Sequence, residues 1–192
     1  TLANHDIVEP EGFAVLSGLA IRLQKEKNAV AWSVEVDRGA PILFKRTKDE
    51  KSRWVKPRIV AKGIEIEQGD GMALPFRALD IALEIDDDAN LPLSRWHLDL
   101  ANKPDGVPQS GPLTHLQFGG HHHDNRELDH PLKVPRWSHP PMEVALLCEV
   151  VAANFYEEEW LELRNEPNWC QAISLSQRLC YRHYFERMNT CL

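Results

Sequence analysis

The period of the apolar residues changes once along this chain, and that change constrains the fold more than any other feature. Val30, Trp32, Val34 and Val36 alternate with Ala31, Ser33, Glu35 and Asp37, a period of two that sets one face of a strand on a core. Leu79, Ile81, Leu83 and Ile85 alternate in the same way, as do Trp96, Leu98 and Leu100, then Leu116 and Phe118, with Ile64 and Ile66 a shorter candidate. Past Pro141 the spacing becomes helical. Val144, Leu147, Cys148, Val151 and Phe155 share a face, and Met142, Ala145, Leu146, Val150 and Ala153 fill most of the remaining circumference, so this helix should be buried on several sides. Pro140 and Pro141 are expected in its first turn, where their missing N–H groups cost nothing. Glu157 to Glu166 reads as a short polar helix, and Pro167 starts another in which Trp169, Ile173, Leu179, Tyr184 and Met188 can pack. Phe13 to Gln24 suits both periods; Val15, Leu19, Ile21 and Leu23 favour a strand, although Leu16, Leu19, Ala20 and Leu23 would suit a helix.

The expected architecture is α+β, an N-terminal, mainly antiparallel β-meander packed on a C-terminal layer of about three helices. The 192 residues, 43% of them hydrophobic and 27% charged, suit a single domain over 1–192, with 1–137 mainly β with long loops and 138–192 mainly α. No apolar run approaches the roughly 20 residues of a membrane span, and Thr1 to Pro10 lacks a basic region followed by an apolar one. A soluble, intracellular protein in the cytoplasm is the expectation, with no membrane partner. The four cysteines, Cys148, Cys170, Cys180 and Cys191, form no C-x-x-C pair, which excludes an all-cysteine zinc knuckle. Cys148 should be a buried thiol.

The net charge of −7 argues against a protein that coats nucleic acid or an anionic membrane with its whole surface. The charge is unevenly spread, however. Between Lys45 and Lys62 eight basic residues face only Asp49 and Glu50, a local +6 that leaves −13 for the rest of the chain. Such a stretch is either a hairpin whose charged outer positions guard a sheet edge or a docking patch for a protein or nucleic-acid partner, in which Lys51, Arg53, Lys56 and Arg58 hold the partner's charge and Trp54 stacks.

Histidine is the informative residue type, because seven of the nine lie between positions 97 and 139. In Arg95-Trp96-His97-Leu98-Asp99-Leu100 the apolar side chains take one face, so Arg95, His97 and Asp99 project from the other. In Leu113-Thr114-His115-Leu116-Gln117-Phe118 the same alternation pairs His115 with Gln117. If the two strands are neighbours, these residues form one polar panel. His97, Asp99, His115 and Gln117 are then the candidate catalytic set, with imidazoles as acid and base and Asp99 as the carboxylate that orients them. A divalent metal such as zinc is a second use of the same panel, with His97, Asp99 and His115 joined by a ligand from His121, His122 or His123 in the following Gly-Gly-His-His-His loop. The bland alternative is a sheet face that simply meets water. A third element, Arg136-Trp137-Ser138-His139, leads into the buried helix. Its start favours an anion held by Arg136, Ser138 and His139 with Arg95; alternatively Ser138 caps the helix while Trp137 plugs the sheet-helix junction. Glu143 and Glu149 on that helix need partners, for which Arg136 or a sheet histidine is suited.

Phosphate-loop, dinucleotide, nucleophile-elbow and H-E-x-x-H motifs are all missing. The H-x-[ST] pairs of two-histidine phosphoesterases are approached but not matched, since Asp99 and Gln117 stand where hydroxyls belong. Two functions of different class follow. The first is an interaction or accessory module with a histidine-rich polar site and a docking basic hairpin. The alternative is a small histidine-dependent hydrolase, acting with or without a metal, on a phosphoester or related bond.

Overall fold

The computed structural model describes residues 1–67, 75–101, 112–119 and 135–190. Among these residues helix α1 (Pro10–Lys25) precedes eight strands: β1 (Ala31–Val36), β2 (Ile42–Leu43), β3 (Thr47–Lys48), β4 (Trp54–Glu67), β5 (Phe76–Asp87), β6 (Pro92–Leu100), β7 (Thr114–Phe118) and β8 (Trp137–Ser138). Helices α2 (Val144–Phe155), α3 (Glu157–Leu163) and α4 (Pro167–Thr190) follow, so the class is α+β with a strand meander and then helices. All pairings are antiparallel, in the order β1-β4-β5-β6-β7-β8, and β2 and β3 share the β1 edge of β4. Among the described residues no helix is long and apolar enough to cross a membrane.

The segment expected as a strand at Phe13 to Gln24 is helix α1, a correction with a local and a tertiary cause. Pro10 stands at the helix start, where its fixed φ is already helical, Glu11 lies in the first turn and Arg22 and Lys25 in the last, each with the sign that the helix dipole favours. The tertiary cause is docking. A Cβ at Gly12 would lie 2.3 Å from the Leu43 carbonyl oxygen, so only glycine lets α1 rest on the backbone of β2.

One sheet face carries the core. Val34, Ile59, Ile64, Leu79, Ile81, Leu83, Leu98 and Leu100 are all buried, and Val144, Leu147, Cys148 and Val151 of α2 belong to the same cluster. Burial raises the Cys148 thiol pKa, as expected of a thiol packed in an apolar helix. The beginning of α2 differs from the expectation. The helix starts at Val144, beyond both prolines, and its N-cap is Glu143 rather than Ser138; the Glu143 carboxylate accepts the N–H groups of Ala145 and Leu146 at 2.9 and 3.1 Å. Glu149 is likewise satisfied by neither an arginine nor a histidine. It accepts the indole N–H of Trp160 at 2.9 Å and of Trp169 at 2.5 Å, tying α3 and α4 to α2.

Candidate functional site

The opposite face of the sheet is polar, and its residues stand in rungs across the strands. One rung runs Arg58, Glu84, Arg95; the next runs Val60, Ala82, His97, Gln117; the third runs Asp80, Asp99, His115, Ser138. The expected neighbourhood of the two histidine strands therefore holds, with His97 opposite Gln117 and Asp99 opposite His115. Because side chains alternate across a strand, Trp96, Leu98, Leu116 and Phe118 take the core face, and every member of the panel takes the other. Burial within the panel is uneven: His115 is 0% exposed and Arg95 6%, whereas His97, Asp99 and Gln117 are half-buried.

One donor atom each from His97, Asp99 and His115 lies within 4.8 Å of the others, and the two imidazole rings meet edge to face at 6.4 Å between centroids. Burial holds both imidazoles below the ordinary histidine pKa. At His97 the Arg95 guanidinium adds to this and Asp99 opposes it; at His115 Asp99 opposes it and Arg136 adds. Both rings are thus neutral near pH 7 and each keeps a lone pair. Arg95 Nη1 lies 3.4 Å from His97 Nδ1, and a guanidinium can only donate. His115 is fully buried, and the Pro112 backbone carbonyl stands beside its ring as a hydrogen-bond acceptor, as the Gly119 carbonyl does for His97.

Beside the panel sits an ionic cluster that the sequence reading passed over. The Glu84 carboxylate receives Arg38 Nη2 at 2.5 Å, Arg58 Nη2 at 2.8 Å and Arg95 Nε at 3.2 Å, and Arg58 Nε also reaches Asp86 at 3.2 Å. Burial works to raise the Glu84 pKa, but the Arg38 hydrogen bond and the three guanidinium charges overcome it and hold the carboxyl below its ordinary value. Asp86 goes the other way, because burial outweighs the pull of Arg58. A signal was present in the sequence: Asp80, Glu84 and Asp86 are the alternate positions of the same strand whose Leu79, Ile81, Leu83 and Ile85 face the core.

The basic stretch folds as a hairpin of β3 on β4, and its charges are largely answered from within the chain. Lys45 reaches Asp6 and Glu9, Arg53 pairs with Asp49 at 2.6 Å, and Lys56 donates to Asn90 Oδ1 at 3.0 Å. Arg58 is consumed by Glu84 and Asp86, while Trp54, 40% exposed, lies under Arg46 and Lys48. Lys51 is exposed at the hairpin turn.

The four anion-site candidates are divided. Arg95 is in the panel and Arg136 is near enough to act on His115, but Ser138 shares its hydroxyl with Tyr184 at 2.9 Å and His139 Nδ1 is hydrogen-bonded to the Pro140 carbonyl at 2.7 Å. The helix start that was to complete the site is filled by Glu143. Trp137 does not plug the sheet-helix junction; it is 68% exposed. His121, His122 and His123 lie outside the described residues.

No family model, curated protein or solved structure matches this chain. Its chemistry rests on the geometry above. Two neutral imidazoles on either side of a carboxylate can exchange protons with one small molecule, and donor atoms 4.8 Å or less apart can share a single bridging water, given hydrogen bonds of about 2.8 Å each and a bent geometry.

Proposed function

We propose that this protein is a small histidine-dependent hydrolase whose reaction centre is the His97, Asp99 and His115 group, acting on a phosphoester or related anionic ester. The observation that supports this most is that His115 is wholly buried beside a second imidazole and a carboxylate, with donor atoms of all three within 4.8 Å of one another. Burying titratable groups together costs stability, and proteins concentrate such groups where chemistry uses them. In the proposed reaction one neutral imidazole takes a proton from water, the water oxygen bonds to the phosphorus or acyl carbon, and the bond to the leaving oxygen breaks as the imidazolium so formed delivers that proton to it, which restores the neutral ring. Asp99, opposite His115 across the strands, stabilises the charged imidazole, and Arg95 offers positive charge to the anionic ester.

The experiment is a hydrolysis panel of p-nitrophenyl phosphate, bis(p-nitrophenyl) phosphate and p-nitrophenyl acetate with the wild-type chain, His97→Ala and His115→Ala. Turnover in the wild type that is lost in both variants, with unchanged circular dichroism, supports the reading. Turnover that survives both replacements overturns it, as does the lack of turnover on all three compounds.

The interaction-module reading keeps one specific observation, the exposed Trp54 with Arg46 and Lys48 against its ring and Lys51 at the adjoining turn. A protein or nucleic-acid partner would dock there. A single-stranded oligonucleotide that quenches Trp54 fluorescence in wild type but not after Lys51→Glu and Arg46→Glu would bring that reading forward.

A further inference from the structure

We infer that His97, Asp99 and His115 form a binding site for one zinc-class divalent cation. The inference concerns the proposed reaction centre but needs no turnover, since a cation can be held there whether or not an ester is cleaved.

Three observations carry it. First, the donor set is already gathered: a tetrahedral ion with bonds of about 2.0–2.2 Å holds its ligand atoms roughly 3.3–3.5 Å apart, so atoms within 4.8 Å need only small side-chain rotations to close on it. Second, His115 is fully buried and the Pro112 carbonyl stands beside its ring to accept the proton of one nitrogen, which leaves the lone pair of the other for a cation, the usual arrangement at a metal-ligating histidine. Third, Asp80 of β5 stands directly opposite Asp99 of β6. Two like charges facing across a sheet repel, and a cation beside them removes the repulsion. Two imidazoles and one carboxylate suit zinc and its neighbours in the first transition row, whereas calcium and magnesium demand more oxygen. Three protein ligands leave a fourth position for water.

The chain also holds a competitor. Arg95 Nη1 is 3.4 Å from His97 Nδ1. If the cation takes Nδ1, it needs the lone pair that Arg95 addresses; if it takes Nε2, the ring proton moves to Nδ1 and two donors face each other. Either way the Arg95 contact must break, so Arg95 opposes the cation both by its charge and by its hydrogen bond. Replacing it with glutamine should therefore tighten binding, the reverse of what a supporting residue would show.

The test is calorimetric titration of the tag-free chain with zinc, paralleled by cobalt absorption as a report of coordination geometry. A variant with His121→Ala, His122→Ala and His123→Ala is included because that run is an independent zinc ligand source. The expected result is one equivalent per chain that persists in the triple variant and tightens in Arg95→Gln. It should weaken by more than about a hundredfold in Asp99→Asn and His115→Ala, because even residues behind the ligands are worth 10–100-fold. Circular dichroism monitors folding, and the near-isosteric Asp99→Asn serves if His115→Ala does not fold. Binding that vanishes in the triple variant, survives Asp99→Asn in full, or is missing in the wild type overturns the inference. Ester hydrolysis without zinc binding removes the metal and leaves the acid-base centre; zinc binding lost in Asp99→Asn without hydrolysis of any ester does the reverse.

Discussion

Two polar regions stand out in this chain, the basic run from Lys45 to Lys62 and the histidine panel of β6 and β7, and folding treats them in opposite ways. The first is rich in charge, and the fold largely answers it: Lys45, Arg53, Lys56 and Arg58 all find oxygen partners within the chain. The second carries fewer charges, and it buries His115 completely beside His97 and Asp99. Charge density along a sequence therefore says little about where function sits, because exposed charges are cheap to solvate and easily paired. Burying titratable groups together is costly, and so it is the more telling sign.

The largest effect that would sharpen this contrast is on turnover. His115→Ala should lower the rate of ester hydrolysis by about 10²–10⁴-fold, the usual worth of a positioned acid or base, whereas Lys51→Glu with Arg53→Glu should leave the rate unchanged. Equal losses from both would erase the distinction between the regions. Next comes stability at the junction of the two, where Arg58 of the basic run meets the carboxylate that also holds Arg95. Glu84→Ala strips the common partner from three guanidiniums and should destabilise the fold by about 3–5 kcal/mol in urea denaturation. A cost no larger than that of a surface substitution would mean that the cluster is not structural.

The same carboxylate predicts a pH dependence. Because the folded-state pKa of Glu84 is depressed, its stabilising contribution is fully present above its ordinary value of 4.5 and is lost as pH falls through the folded value. The stability gap between wild type and Glu84→Gln should therefore be constant from pH 7 down to about 5 and shrink below that. Asp86 acts in the opposite sense, its raised pKa making protonation the stabilising event, so Asp86→Asn should widen the fold's tolerance of neutral pH rather than of acid. The smallest effect belongs to the hairpin. Arg53→Ala removes an exposed pair with Asp49 and should leave the thermal midpoint within error of the wild type, as surface ion pairs usually do.

Much of the fold was legible because alternation and helical spacing are direct consequences of which side chains leave water. The strands containing Trp32, Ile81, Leu98 and Leu116, the buried helix around Val144 to Phe155 and the start of α4 at Pro167 all follow from spacing. The polar panel was legible for the same reason, since residues two apart on a strand share a face. Helix α1 was not, because Val15 and Ile21 fit a strand as well as Leu16 and Leu23 fit a helix, and only docking on β2 at Gly12 separates the two. Nor were the partners of Glu143 and Glu149, since a carboxylate's hydrogen bonds depend on which backbone and indole N–H groups arrive beside it. The cluster on Glu84 escaped for a similar reason: Arg38, Arg58, Glu84 and Arg95 are dispersed in sequence and meet only through strand register.

Periodicity alone determined that this chain builds an antiparallel sheet with helices after it, and that Arg95, His97, Asp99, His115 and Gln117 would leave the core face, because a strand has no other way to hide Trp96, Leu98 and Leu116. Tertiary structure decided what that second face became. Local sequence sets only the direction in which a side chain points; whether it meets water, a partner or nothing depends on the strands that lie alongside and on what removes it from solvent. For Arg58 that outcome was a carboxylate, and for His115 it was complete burial beside a second imidazole and Asp99.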